Sequence, residues 1–315
     1  MMETGRRTKG NMLTMDKFAE IVKDVLEQHY RDCRVAVREV EKNNGKKLTG
    51  IEIRNTQSNV APVIYLEEYY RQYLQGKQLA VICKEIADRY EENKVTQQAD
   101  MGNLLFFDTV KENICFKLIN AEKNAALLRE VPYRTCHDLA VVYFVLVSQD
   151  ENGTATITVN NALTRLWNVS EGMLYAYAKK NTPRLFGGTV APMAKMFPDL
   201  TEVCFGPEAA DFDMEFKNAG ERLFVATNSC GVDGASILLY DGVLELFSER
   251  IGSDFYILPS SVHELLFVPK TDEVDGKSLS QMVREVNRNE VAPEEVLSDH
   301  VYYYHTQTKS VKMVA

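Results

Sequence analysis

The stretch that decides the fold is Ser253–Lys270, which reads Ser-Asp-Phe-Tyr-Ile-Leu-Pro-Ser-Ser-Val-His-Glu-Leu-Leu-Phe-Val-Pro-Lys. Apolar residues dominate both halves, and Pro259-Ser260-Ser261 interrupts them in the middle. Proline has no backbone N–H to donate to a sheet, so this interruption favours a bend over a continuing strand. We therefore predict a central pair of strands joined at this bend.

Patterns of a hairpin followed by a helix recur about four times, around residues 34–90, 139–180, 223–251 and 255–290. They share no fixed period and no motif, which argues against a solenoid array. Such units predict the α+β class, with antiparallel sheets built from repeated β-hairpin-plus-helix units and helices packed on one face.

Several local signals place individual elements in the first part of the chain. Thr14 or Asp16 is positioned to cap the first helix. Strands are expected at Arg34–Glu41 and Gly50–Asn55, joined at Asn43-Asn44-Gly45, whose residues tolerate positive φ. A short helix is expected at Ala121–Arg129.

The last third of the chain carries three further signals. Leu223–Thr227 and Ser236–Tyr240 are predicted to form a hairpin around Cys230–Gly234. The spacing of Gly231 and Gly234 is wrong for a phosphate-binding loop, so a hairpin turn is expected there. Ser278-Leu279-Ser280-Gln281 has the pattern of a capping box at the start of a helix.

Changes in composition suggest where the domains divide. Residues 1–12 are polar and without pattern, which predicts a disordered segment or a start-site artefact. The polar segment Glu91–Asp100 predicts a linker. We therefore expect an N-terminal α+β subdomain over residues 13–95 and a larger α+β domain over 96–315, with 96–200 and 201–315 as its candidate lobes.

The charge balance argues against nucleic acid as a partner. Asp and Glu number 45 against 36 Lys and Arg, giving a net charge of −9 over 315 residues. Proteins that bind nucleic acid concentrate basic residues to neutralise phosphates. No basic run in this chain is longer than a pair such as Lys46-Lys47.

The cysteines indicate a compartment. The chain has six, widely and irregularly spaced, with no Cys-x-x-Cys pair. That spacing fits neither a zinc site nor the disulfide framework of a small secreted domain. Free thiols in a reducing environment are the better interpretation, so we predict a cytoplasmic location.

No apolar segment in the sequence approaches the length of a membrane helix. The longest apolar run, Leu139–Val147, has nine residues, whereas a spanning helix needs about 20. The run is instead typical of a strand buried on both faces. We therefore predict no membrane association.

His263-Glu264 is the first candidate for chemistry, together with Ser260 and Ser261. Position 267 is Phe, so the His-Glu-x-x-His pattern of zinc metalloproteases is absent. On a strand, His263 would share a face with Leu265 and Phe267. It would then be either a hydrogen-bonded structural histidine beside a paired Glu264, or a general base near Ser260 or Ser261.

Two further clusters carry reactive side chains. Cys136-His137-Asp138 has the residue types of a catalytic triad, but neighbours on a strand point to opposite faces, so a local triad is not expected. Asp211, Asp213 and Glu215 alternate with apolar residues. That alternation suits a divalent cation, or an exposed edge strand whose charges prevent edge-to-edge pairing. We assign no metal ligand and no cofactor.

Three segments carry a resemblance: Val60–Tyr70, His137–Tyr143 and Tyr256–Leu265. Together they resemble an uncharacterised domain-of-unknown-function family of anaerobic gut bacteria, over most of the chain after Met12. The resemblance implies a bacterial, cytoplasmic protein and carries no catalytic role.

Three functional hypotheses follow. The first is a non-enzymatic cytosolic α+β protein that binds a protein partner or a small ligand, because no catalytic constellation passes the spacing tests. The alternative is a hydrolase-like enzyme that uses His263 with Ser260 or Ser261, assisted by Glu264. The third is a metal-dependent enzyme at Asp211, Asp213 and Glu215.

Overall fold

A computed structural model describes residues 12–55, 61–94, 101–150, 153–193, 204–205 and 223–314. The chain divides into two compact units, one formed by Met1–Lys42 with Lys46–Met101 and the other by Asn43–Gly45 with Gly102–Ala315. The domain boundaries predicted at residues 12, 95 and 200 remain predictions.

The first unit is a small antiparallel sheet covered by helices. Its elements in chain order are α1 (Met15–His29), β1 (Cys33–Glu41), β2 (Lys47–Asn55), β3 (Val63–Tyr65), α2 (Glu67–Leu74) and α3 (Leu79–Asn93). The strands lie in the order β1-β2-β3. Thr14 caps α1 by accepting a hydrogen bond from Lys17 N, and Asn44 and Gly45 have positive φ between β1 and β2, as predicted.

The core of the first unit is made by apolar faces with the expected periodicities. Phe18 and Val22 of α1, Ile51 and Ile53 of β2, and Ile82 of α3 are almost completely buried. Spacings of three and four residues on the helices and of two on the strand place these side chains together.

The second unit is the larger one, and its described residues form two antiparallel sheets. Its strands are β4 (Ile114–Asn120), β5 (Tyr133–Cys136), β6 (Leu139–Asp150), β7 (Gly153–Thr158), β8 (Gly188–Pro192), β9 (Cys204–Phe205), β10 (Phe224–Thr227), β11 (Phe255–Pro259), β12 (Leu265–Pro269), β13 (Tyr302–His305) and β14 (Ser310–Met313). Its helices are α4 (Phe107–Val110), α5 (Asn161–Trp167), α6 (Glu171–Phe186), α7 (Val243–Ile251) and α8 (Gly276–Asn289).

Ser253–Lys270 contains β11 and β12, which pair antiparallel with Ile257 opposite Phe267, as predicted. Within the described residues the sheet that contains them has seven strands in the order β14-β13-β11-β12-β10-β8-β9. The other sheet has the order β4-β6-β5, with β7 also pairing with β6. β6 contains the buried apolar run that starts at Leu139.

One hydrophobic core joins the two sheets of the second unit. Phe116 and Tyr143 from one sheet and Phe255 and Phe267 from the other belong to a single cluster of buried residues. Phe247 of α7 lies among the aromatic rings of the seven-stranded sheet, with ring centroids 4.8 to 5.0 Å from Phe224, Phe255 and Phe267. These separations are typical of favourable aromatic pairs.

Three local predictions are wrong. Ser236–Tyr240 is not a strand, because Gly234–Leu239 forms a 3₁₀-helix and β10 pairs with β8 and β12 instead. Asp275, not Ser278, caps α8, because the Asp275 carboxylate accepts from both the backbone N–H and the hydroxyl of Ser278. Ala121–Arg129 forms turns and a 3₁₀-helix at Leu127–Arg129.

The class of the fold is α+β, as the sequence predicts. The repetition of hairpin-plus-helix units stays a prediction. Among the described residues, no helix combines the length and the apolar composition that crossing a membrane requires.

Candidate functional site

His263 lies in the loop Ser260–Glu264 between β11 and β12, not on a strand. The backbone N–H groups of Ser260 and Ser261 both donate to the carbonyl oxygen of Glu264, at 3.3 and 3.2 Å, and close the loop. The prediction that His263 shares a strand face with Leu265 and Phe267 is therefore wrong, because the strand begins only at Leu265.

The His263 ring is held by the backbone of a neighbouring loop. Asp233 N donates to His263 Nδ1 at 3.1 Å, so the proton of the neutral imidazole lies on Nε2. Nε2 lies 3.8 Å from Glu295 Oε1. The Thr227 hydroxyl donates to the His263 carbonyl oxygen at 2.7 Å. Ring and backbone of His263 thus both stabilise the chain between β10 and the 3₁₀-helix.

The hydroxyl groups of Ser260 and Ser261 form hydrogen bonds with groups other than the His263 imidazole. The Ser260 hydroxyl donates to Glu264 Oε1 at 2.9 Å, and His263 N donates to Ser261 Oγ at 3.0 Å. The structure brings all four predicted site residues into one loop, and these contacts pair Ser260 with Glu264 and Ser261 with the His263 backbone. A catalytic role for His263, Glu264, Ser260 or Ser261 stays a prediction.

A second polar cluster surrounds Asp138 in the turn between β5 and β6. Oδ2 of Asp138 accepts hydrogen bonds from the Ser298 hydroxyl at 2.6 Å and from His300 Nδ1 at 3.1 Å. Oδ1 accepts from the Tyr302 hydroxyl at 2.6 Å. Burial by itself would raise the pKa of Asp138, but the donors from Ser298, Tyr302 and His300 outweigh it and lower the pKa below its ordinary value.

The neighbours of Asp138 in the sequence take no part in a local triad. Cys136 ends β5, and burial raises the pKa of its thiol. His137 adopts a left-handed backbone with φ of 57°, and its ring centroid lies 5.5 Å from that of Tyr302. The imidazole that contacts Asp138 belongs to His300 instead, 162 residues further along the chain.

Sequence reasoning missed this cluster, although a signal was present. Ser298, His300 and Tyr302 alternate along the approach to β13, and residues two apart on an extended chain share a face. That alternation predicts a polar face of three donors. The identity of the acceptor, Asp138, depends on how the two sheets pack.

The second unit also has a partly open cavity of about 70 Å³ beside the Gly231–Gly234 loop. Asn228 and Ser236 line it, but both side chains donate to backbone carbonyls of the same loop, those of Val232 and Asp233. A volume of this size suits a few water molecules. The loop is not the predicted hairpin turn, since it leads into the 3₁₀-helix.

A larger concave site lies in the first unit between α1 and α3. It has a volume of about 520 Å³, within the range of about 300–1,000 Å³ usual for small-molecule sites. We call it the α1–α3 groove; it is lined by Val25, Leu26, His29, Leu79, Ala80, Cys83, Lys84, Ala87 and Asp88. Leu26 and Cys83 are buried, whereas His29, Lys84 and Asp88 are exposed at its edge.

The described part of the chain holds no group of three or more His, Cys, Asp or Glu side chains arranged to bind a metal ion. Asp211, Asp213 and Glu215 lie outside the described residues. Their predicted roles, as cation ligands or as an edge strand, stay predictions.

Comparisons with known proteins give one match. No curated protein and no solved structure matches the chain. A family model described as a family of unknown function, DUF5688, matches residues 15–306. This range covers both units and includes the α1–α3 groove, the His263 loop and the Asp138 cluster. The chain therefore belongs to the DUF5688 family of unknown function.

Proposed function

We propose that this protein binds a small, largely apolar molecule in the α1–α3 groove. The main support is the α1–α3 groove itself, which has a volume of about 520 Å³. A concave apolar site with a few polar groups at its edge is the usual form of a small-molecule site. Leu26 and Cys83 give it an apolar floor, and Val25 and Leu79 give it apolar walls.

The edge of the groove suggests a ligand with one polar end. His29 ends α1, while Lys84 and Asp88 stand one helical turn apart on α3. Within the described residues, neither Lys84 nor Asp88 forms an ion pair, so both charged groups are available to a ligand. An apolar body would occupy the floor and a single polar or charged group would remain at this edge.

A protein partner is the other occupant that the sequence analysis allows. Standard protein interfaces bury about 1,200–2,000 Å² spread over both partners. The α1–α3 groove is a local concavity lined by nine residues, which favours a small molecule as its occupant.

The hydrolase alternative at His263 has less support. The Ser260 hydroxyl donates to Glu264, and His263 Nδ1 accepts from Asp233 N. A serine nucleophile needs a base within hydrogen-bond reach of its hydroxyl. Both groups would have to exchange partners to meet that requirement.

Fluorescence titration tests the proposal. Ten-carbon alkyl chains ending in a carboxylate, a hydroxyl or an ammonium group would compete with an environment-sensitive apolar dye. Saturable binding of the dye and its displacement by at least one chain are expected, and the preferred end group would show whether Lys84 or Asp88 makes the polar contact.

Two variants on α3 locate the binding site. Ala80→Trp fills the α1–α3 groove from its exposed edge and is expected to weaken dye binding at least tenfold. Val81→Trp is the matched control, because Val81 is the next residue, is 44% exposed and does not line the groove. Unsaturable dye binding, or equal affinity in wild type and Ala80→Trp, would overturn the proposal.

A further inference from the structure

We propose that His300, oriented by Asp138, is the base of a hydrolytic centre on the second unit that acts on small neutral esters. This activity is independent of the α1–α3 groove and goes beyond ligand binding. It also differs from the hydrolase predicted at His263, because it uses another histidine and an activated water in place of serine.

The tautomer of His300 is fixed by its partner. An ionised carboxylate only accepts hydrogen bonds, so Nδ1, which lies 3.1 Å from Asp138 Oδ2, carries the proton. The lone pair of the neutral ring is therefore on Nε2. No residue in the described ranges makes a hydrogen bond to Nε2, and the His300 side chain is 46% exposed.

The carboxylate that orients the ring is itself held in place. Asp138 is 20% exposed and accepts two further hydrogen bonds, from Ser298 and Tyr302, both at 2.6 Å. Ser298 and Tyr302 are completely buried. These donors keep Asp138 ionised, and an ionised Asp138 stabilises an imidazolium when His300 takes up a proton.

The backbone of His300 is fixed as well. His300 N donates to Ser298 Oγ at 2.9 Å, and the same hydroxyl donates to Asp138. Ser298 therefore links the backbone of the base to the group that orients its ring. A base with a fixed tautomer and a fixed ring direction is the arrangement used in general-base catalysis.

The proposed reaction balances without a cofactor. Nε2 removes a proton from water as the water oxygen bonds to the carbonyl carbon of the ester. The tetrahedral intermediate then expels the alcohol oxygen, which takes the proton back from the imidazolium. One water and one ester give a carboxylic acid and an alcohol, and the His300 imidazole is regenerated.

The surroundings disfavour a negatively charged substrate. Asp299 follows Ser298 directly and pairs with Lys123, whose Nζ lies 3.4 Å from Asp299 Oδ2, so this pair balances its own charge. Among the described residues Asp138 forms an ion pair only with His300, so its negative charge would repel an anionic substrate while the ring is neutral. Because His300 is so exposed, it can meet small esters directly.

Hydrolysis of 4-nitrophenyl acetate by the purified full chain tests the proposal. His300→Gln is expected to lower the protein-catalysed rate at least tenfold, and Asp138→Asn to lower it similarly. His137→Asn is the matched control, because His137 is exposed, has no ion-pair partner among the described residues, and has a left-handed backbone that Asn tolerates.

Chemical rescue by added imidazole distinguishes the orienting role of Asp138 from general damage to the fold. Added imidazole is expected to restore hydrolysis by His300→Gly, while the double variant Asp138→Asn, His300→Gly is expected not to respond. Circular dichroism of each variant shows whether the chain still folds, and His300→Gln tests the proposal even if Asp138→Asn does not fold.

Three results would overturn the inference. One is a wild-type rate in folded His300→Gln, and another is an equal loss of rate in His137→Asn. The third is a loss of rate in His263→Gln with none in His300→Gln, which would place the activity at the sequence-predicted site instead.

Discussion

The Tyr302 hydroxyl donates a hydrogen bond of 2.6 Å to Asp138 Oδ1. Tyr302 belongs to β13 of the seven-stranded sheet, and Asp138 lies in the turn that precedes β6 of the other sheet. This hydrogen bond therefore joins the two sheets of the second unit at a partly buried position. Hydrogen bonds to charged groups are stronger than those between neutral ones.

Tyr302→Phe is expected to destabilise the protein by about 2 kcal/mol, because it removes a donor from a largely buried carboxylate. The free energy of unfolding from urea denaturation measures the effect. The aromatic ring remains in the variant, so the loss of stability reports on the hydroxyl alone.

Tyr304→Phe is the matched control on the same face of the same strand. The Tyr304 hydroxyl is buried near Ser248 and makes no hydrogen bond of ordinary geometry within the described residues. Its removal is expected to change the free energy of unfolding by less than about 0.5 kcal/mol. Equal losses in the two variants would contradict the importance of the link to Asp138.

Local patterns were enough to predict much of the fold. The helical spacing from Phe18 to Leu26 and the turn residues Asn43-Asn44-Gly45 act over a few positions, and the structure confirms the elements that they predict. The bend after Pro259 is likewise where β11 ends and the loop to β12 begins.

Sequence reasoning failed where distant residues decide the outcome. Ser236–Tyr240 has the apolar character of a strand, but Gly234 packs against Thr227 and the His263 backbone, which holds the chain in a 3₁₀-helix. The pairing of Asp138 with His300 likewise requires the two sheets to pack first. Neither contact has a short-range signature.

Gly234→Ala is expected to destabilise the protein by about 3 kcal/mol or more. A Cβ at this position would lie far inside van der Waals contact with the Thr227 hydroxyl and the His263 carbonyl oxygen. Because backbone atoms cannot move aside cheaply, the loop that contacts the His263 ring would have to shift. Differential scanning calorimetry measures the loss.

Gly242→Ala separates crowding from backbone strain. Gly242 has a φ of +78° with nothing within 4 Å of an added Cβ, so only the left-handed conformation is penalised, by about 1–2 kcal/mol. A smaller effect for Gly234→Ala than for Gly242→Ala would mean that the loop relaxes freely.

Asp254→Asn is expected to change how stability depends on pH. The Tyr303 hydroxyl donates to Asp254 at 2.5 Å and Thr306 N donates at 2.9 Å; the Tyr303 hydrogen bond contributes most to lowering the pKa of Asp254 to about 2. The unfolded chain has an Asp pKa of about 3.9. Stabilisation by the carboxylate is therefore complete above about pH 5 and is lost as the pH falls through about 2.

Thermal melts between pH 7 and pH 2 measure this effect. Wild type is expected to melt about 2–4 °C above Asp254→Asn at neutral pH, and the difference should shrink as the pH falls below 4. Asp272→Asn is the control, since Asp272 is exposed. A difference for Asp254→Asn that stays constant down to pH 2 would show that the variant acts through packing instead.

Phe247→Ala is expected to be among the most damaging core substitutions, at about 3–5 kcal/mol. Phe247 is fully buried, and its ring meets those of Phe224, Phe255 and Phe267 from three neighbouring strands. Removing it leaves a cavity that these stiff rings cannot fill by changing rotamer.

The free energy of unfolding from urea denaturation measures the loss. Met282→Ala, on the exposed side of α8, is the control and should stay within about 0.5 kcal/mol of wild type. A loss below about 1.5 kcal/mol for Phe247→Ala would mean that α7 moves inward and closes the cavity, so its position over the sheet would not be fixed by this ring.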